Sequence, residues 1–130
     1  MNKTLIWSGR VITTLPVLFL LFDATIKLLR ISPVLQSFVH LGYDPQIAVG
    51  IGILELICVA LYLVPRTSFA GAILFTGYLG GAVATHLRIG DPLLTHVLFP
   101  TYVAALLWGG LLLRDARLRA LIFLKPSQAN

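Results

Sequence analysis

The sequence predicts an all-α integral membrane protein: a four-helix antiparallel bundle with both termini in the cytoplasm. Three observations lead there. The 130-residue chain is 58% hydrophobic and only 12% charged, with a mean hydropathy of +0.92. Its apolar residues gather into four runs of about 20 residues, the length that crosses a hydrocarbon core about 30 Å thick. The basic residues stand mostly at the ends of those runs. A soluble domain of this length has too little interior to hide so much apolar surface, whereas a membrane protein exposes it to lipid.

The first run is placed at residues 7–29. A basic start ahead of Val11–Phe22 imitates a signal peptide. No small-x-small cleavage site follows, however, and the apolar pattern continues past Asp23 to Leu29, so the segment reads as a retained helix. Pro16 is tolerable inside a membrane helix. The connection from Arg30 to Pro45 carries the turn signals Ser32-Pro33 and Gly42-Tyr43-Asp44-Pro45, with room for a short interfacial helix between them. The second run, 46–64, holds one charge, Glu55. Pro65-Arg66-Thr67-Ser68 then forces a tight turn, with Thr67 or Ser68 placed to cap the next helix. The third run, 69–87, stops at Ile89-Gly90-Asp91-Pro92. The fourth, 93–113, runs into a short cytoplasmic tail, 114–130, and the whole of 1–130 is read as one domain.

Short connections between the later runs imply antiparallel neighbours. Lys3, Arg10, Arg66, Arg114, Arg117, Arg119 and Lys125 fall on one side, and Lys27, Arg30 and Arg88 on the other. The positive-inside rule puts the first group in the cytoplasm. The net charge of +5 does not point to nucleic acid, because no basic stripe carries interleaved stacking aromatics. Cys58, the single cysteine, has no partner for an internal disulfide. Trp7, Trp108, Tyr62 and Tyr102 are expected as interfacial anchors.

Lipid does not drive helices together hydrophobically, so small residues and polar cross-links take that role. Gly77 and Gly81 form a GxxxG pair, Gly109-Gly110 stand similarly on the fourth run, and Gly50 and Gly52 on the second; all are expected at helix-packing contacts. Ionisable groups inside a span are costly and default to a functional reading. Asp23 and Lys27, four apart, share a helix face and can pair. At about 1.5 Å rise per residue, Asp23 and Glu55 reach similar depth. With Lys27, His86, Arg88 and His96 they line an expected ligand-binding pocket in the outer half of the bundle. His86 and Arg88 are two apart, about 200° around a helix, so both cannot face inward. Arg88 shares the face of Gly77 and Gly81 and is expected inward, as partner to Glu55 or Asp23. The structural alternative is that these groups neutralise one another, fixing helix register without a ligand. A metal or haem on His86 and His96 lacks support from any HxxxH or ExxH spacing.

The segments GRVITTLPVLFLLFDATIKLL, IGILELICVALYLVPRTSFAGAILFTGYLGGAVATHLRIGDP and FPTYVAALLWGGLLLRDARLR closely resemble the DoxX-like family of small four-helix membrane proteins, over about Gly9 to Arg119. That resemblance implies a multi-pass protein of the bacterial cytoplasmic (inner) membrane, with Asp23, Lys27, Glu55, His86 and Arg88 at recurrent polar positions. The family takes its name from a subunit of a thiosulfate:quinone oxidoreductase, though fold-level likeness does not carry that chemistry across. The leading expectation is a redox-linked subunit that binds a quinone or other small molecule, no catalytic residue being assigned. The alternative is a non-enzymatic lipid or small-ligand binder, or an assembly factor for a membrane complex. A membrane or periplasmic protein, or a second copy of the chain, is the expected class of protein partner. A transporter ranks last, because no polar line continues from Glu55 toward the cytoplasm.

Overall fold

The computed structural model describes residues 3–123. It is 85% helical, and no strand occurs among the described residues. The helices are α1 (Lys3–Leu28), α2 (Ser32–His40), α3 (Ala48–Leu63, preceded by a 3-10 turn at Pro45–Ile47), α4 (Ser68–Arg88), α5 (Phe99–Arg114) and α6 (Ala116–Ile122). Four segments are long and apolar enough to cross a membrane: Lys3–Leu28, Pro45–Leu63, Ser68–Arg88 and Leu93–Arg114.

Each span sorts its residues by helical spacing. On α1, Thr13, Pro16, Val17, Leu20 and Ala24 are buried. Val11, Leu15, Leu18 and Phe22, on the opposite face, are exposed, at 59–65%. An apolar stripe turned away from the interior is what lipid contact requires, since in a bilayer it costs nothing. Helix α1 borders α3 and α5, and α4 borders the same two, so the four spans form a ring with α1 and α4 on its diagonal. The core runs along the ring axis through Leu20, Cys58, Val59, Phe75, Leu107 and neighbours.

Glycine brings helices together at some of the expected sites, Gly110 and Gly52 among them, and not at others. A Cβ on Gly110 would overlap the Thr13 side chain, and one on Gly71 would overlap the backbone of Tyr62. These two positions set the α1–α5 and α3–α4 approaches. Gly77, Gly81 and Gly109 do not: a Cβ at any of them meets nothing within 4 Å. The GxxxG pair therefore makes no close helix contact within the bundle.

Four local readings also change. The hydroxyls of Thr67 and Ser68 do not cap α4; they donate backward, to the carbonyls of Leu61 at 2.7 Å and Tyr62 at 2.7 Å. Carbonyls at the end of α3 need partners as much as the first amides of α4 do, and these hydroxyls reach them first. Tyr62 is not an interfacial anchor but fully buried, donating to the Leu107 carbonyl at 2.5 Å. Residues 116–122, assigned to the tail, form α6. Asp115 caps it through the amides of Arg117 and Leu118, and Leu118 is buried in the main core. Lys125 and the rest of the tail, 124–130, lie outside the described residues. The fourth span is also not one continuous α-helix: Leu93–Val97 is a π turn, and α5 begins afresh with Pro100 in its first turn.

Candidate functional site

Helix α2 lies across one end of the ring. Pro33 opens it, and its four-residue spacing of Val34 and Phe38 gives one apolar face, packed on Ala48 with Ile26, Leu35 and Ile51 beside them. Beneath this cover is a cavity of about 590 Å³, walled by α1, α2, α3, α4 and the start of α5. Its surface is mostly apolar, with Phe19, Ile51, Leu79 and Phe99 among the wall residues and Asp23, Lys27, Glu55 and Tyr78 supplying charge and hydroxyl.

The polar floor is held by three spans. On α3 the buried positions Gly52, Glu55, Val59 and Tyr62 follow helical spacing, so Glu55 points along the core stripe and is fully buried. On α1, Lys27 lies one turn beyond buried Ala24. Its ammonium donates to Asp23 Oδ2 at 2.5 Å, Glu55 Oε2 at 3.0 Å and the Tyr78 hydroxyl at 2.8 Å. On α4, Tyr78 donates in turn to Glu55 Oε2 at 3.1 Å. Lys27 thus places all three of its N–H groups, and the tyrosine hydroxyl both accepts and donates. The side chains of Asp23, Lys27 and Glu55 are 28%, 14% and 0% exposed, so the cluster grades from the cavity into the core. Glu55 Oε1, buried with its residue, has no hydrogen-bond partner.

His86 also borders the cavity, higher up. Its Nδ1 meets Asp91 Oδ2 at 2.6 Å, and His40 at the end of α2 meets Asp91 Oδ1 at 3.2 Å. Hydrogen bonds from His86 and then His40 hold the Asp91 carboxyl below the usual aspartate range. Two further ties join the end of α2 to α4. Arg88 donates to the Leu41 carbonyl at 2.7 Å, and the hydroxyls of Tyr43 and Thr85 stand 2.8 Å apart.

The structure therefore brings Asp23, Lys27 and Glu55 together, sets His86 on the same cavity, and separates Arg88 and His96 from them. Arg88 is not the inward partner of Glu55; Lys27 and Tyr78 are. His86, not Arg88, continues the buried α4 stripe of Ala72, Phe75 and Leu79. Treating the glycine face as the inner one reversed that choice. His96 is exposed and pairs with Thr95 at 2.9 Å, with its ring 6.1 Å from that of His86.

Tyr78, Asp91 and Tyr43 had no place among the expected pocket residues. Tyr78 had a legible signal, since it lies three residues after Phe75 and next to Leu79 on the apolar stripe. For Tyr43 the sequence offered none, because its partner Thr85 lies 42 residues away; Asp91 had a local signal in His86, five residues before it, but none for His40, 51 residues away. Among the described residues, no group of three His, Cys, Asp or Glu side chains converges as a metal-ligand set.

A model described as the DoxX-like family matches residues 11–110. No curated protein and no solved structure matches the chain.

Proposed function

Since the chain belongs to the DoxX-like family, we propose that it is a redox-linked membrane subunit that holds a small apolar molecule of the quinone type in the cavity beneath α2. The observation that carries this reading is the cavity itself: about 590 Å³, apolar on its walls, with Asp23, Lys27, Glu55 and Tyr78 converging at one end. Ligand sites share that design, an apolar enclosure with a few fixed polar groups that orient the bound molecule. A ring and tail of the quinone type suit the walls, and a polar head meets a floor of ionisable and hydroxyl groups. Asp23, the most exposed of the ionic trio, is the group through which a proton passes between floor and cavity.

The protein is a multi-pass membrane protein by its four apolar spans and its family. We place it in the bacterial cytoplasmic membrane with both termini inside. The basic residues support that assignment: Lys3, Arg10, Arg66 and Arg114 are at one end of the ring, and the cavity is at the other.

The test is a titration of the purified protein in lipid nanodiscs with a short-tailed benzoquinone. Saturable binding supports the reading; no saturation up to the solubility limit overturns it. A second reading, a non-enzymatic assembly factor or ligand binder, is favoured by the open α4 face at Gly77 and Gly80, where a partner helix meets no obstruction. Under it, Gly77→Leu abolishes recovery of a partner complex while Glu55→Gln leaves it intact.

A further inference from the structure

We propose that the cavity selects an apolar molecule whose polar head is a neutral hydrogen-bond donor, a hydroxyl, over one of the same shape whose head only accepts. This rests on the cavity being a ligand site, and it follows from counting the hydrogen-bonding atoms around it.

The donors on the floor are used up internally. The three N–H groups of Lys27 go to Asp23, Glu55 and Tyr78, and the Tyr78 hydroxyl proton goes to Glu55 Oε2. Toward the mouth, the Thr85 hydroxyl donates to the Gly81 carbonyl at 2.8 Å, so Tyr43 donates to Thr85. His86 Nδ1 is taken up by Asp91. Of the hydroxyl donors lining the cavity, only the exposed Ser37 hydroxyl, on α2, is without a bond.

The acceptors are not used up. Glu55 Oε1 has no partner and no accessible surface; because Glu55 borders the cavity, a ligand head reaches that oxygen by a turn of the carboxylate toward it. A buried oxygen without a donor is costly, more so when charged, and a ligand that supplies the donor recovers that cost. A carbonyl or ether oxygen in the same place faces lone pairs and leaves the deficit unrelieved. An ammonium head is disfavoured for another reason, since the Lys27 cation already stands 3.0 Å from Glu55 Oε2. A neutral hydroxyl meets both conditions. For a quinone-type ligand, this means the reduced, hydroxyl-bearing form binds more tightly than the oxidised one.

The test uses two redox-silent probes of nearly equal shape: 4-heptylphenol, and 4-heptylanisole, in which a methyl ether removes the donor. Each is titrated into the protein in lipid nanodiscs, with empty nanodiscs correcting for partition. The phenol is expected to bind at least tenfold tighter, because a site built around a hydroxyl rejects the analogue lacking it. Glu55→Gln is expected to bring the ratio close to one, as the new amide supplies its own donor. The wild-type ratio alone decides the matter if that variant does not fold. Saturable binding of both probes with equal affinity, or with the ether tighter, overturns the donor rule and leaves the ligand site standing. If neither probe saturates, both the rule and the ligand site fall.

Discussion

Lys27 on α1 and Glu55 on α3 meet at 3.0 Å across the interior of a bundle whose remaining core is almost wholly apolar. Asp23 and Tyr78 complete the contact, so helices α1, α3 and α4 are tied at one point near the cavity floor. Pairs of this kind fix how helices are matched more than they add stability. Removing one partner is a different matter. Lys27→Met leaves Glu55 buried without its cation, and a loss of about 3–5 kcal/mol is expected. Lys27→Met combined with Glu55→Leu should recover most of it. Reversible unfolding in mixed micelles measures both; equal stability of Lys27→Met and wild type would show that the pair is solvated and Glu55 not truly enclosed.

The α3–α5 contact through Tyr62 is a smaller, separable quantity. Its hydroxyl donates to Leu107 O at 2.5 Å, with Thr13 Oγ1 at 3.5 Å on the other side. Tyr62→Phe keeps the ring and its edge contact with Phe75, 6.3 Å between centroids. The expected cost is about 1 kcal/mol, the scale of a helix–helix hydrogen bond in a membrane protein. A loss above about 3 kcal/mol in the same unfolding assay would mean that the hydroxyl supports more than this one bond.

Glycine substitutions separate the two faces of α4. Gly71→Ala places a methyl into the Tyr62 backbone, so the α3–α4 approach must open, at a cost of about 2 kcal/mol or more. Gly77→Ala meets nothing and gains helix propensity, so it should fall within about 1 kcal/mol of wild type, on the stable side. Equal losses at the two positions would contradict the arrangement of α4.

The tie from α2 to α4 through Asp91 has a defined pH dependence. Hydrogen bonds from His86 and His40 lower the Asp91 pKa in the folded protein relative to the unfolded chain. A carboxylate shifted that way stabilises above its unfolded pKa, about 4, and loses its contribution as the pH falls through the folded value. Amide exchange at the C-terminal end of α2 should therefore hold steady from neutral pH down to about 4 and then report opening, after correction for intrinsic rates. Asp91→Asn should remove that transition. Retention of the transition in Asp91→Asn would assign it to another group.

The four spans were legible because apolar length is a direct requirement of the bilayer, and a helix in water would not stay free of charge all the way from Thr67 to Thr85. Glu55, Asp23 and Lys27 were legible for the complementary reason: an ion in such a run must have a partner, and the i to i+4 spacing supplied one. What failed was the choice of inner face on α4. Glycine spacing reports where a close approach is possible, not where a neighbour stands, and Gly77 and Gly81 proved to face open space. The buried positions Ala72, Phe75 and Leu79 give the correct face and lead on to His86. Helix α6 was hidden by its arginines, although Asp115 at its cap and Leu118 on its inner side were both visible.

Gly81 provides the last prediction, and it depends on that corrected face. The residue borders the cavity, and a Cβ built there meets nothing within 4 Å. A bulky side chain at this position therefore has space to occupy, and part of that space belongs to the cavity. Gly81→Leu is expected to leave the unfolding midpoint close to wild type while weakening binding of any cavity ligand about tenfold or more. Gly80→Leu, one position along and absent from the cavity wall, controls for adding a leucine to the exposed side of α4. Unfolding of Gly81→Leu at markedly lower temperature, with Gly80→Leu unaffected, would mean that Gly81 packs against a neighbour and that the wall beside it is closed. Unchanged affinity in a stable Gly81→Leu would place the ligand away from this wall.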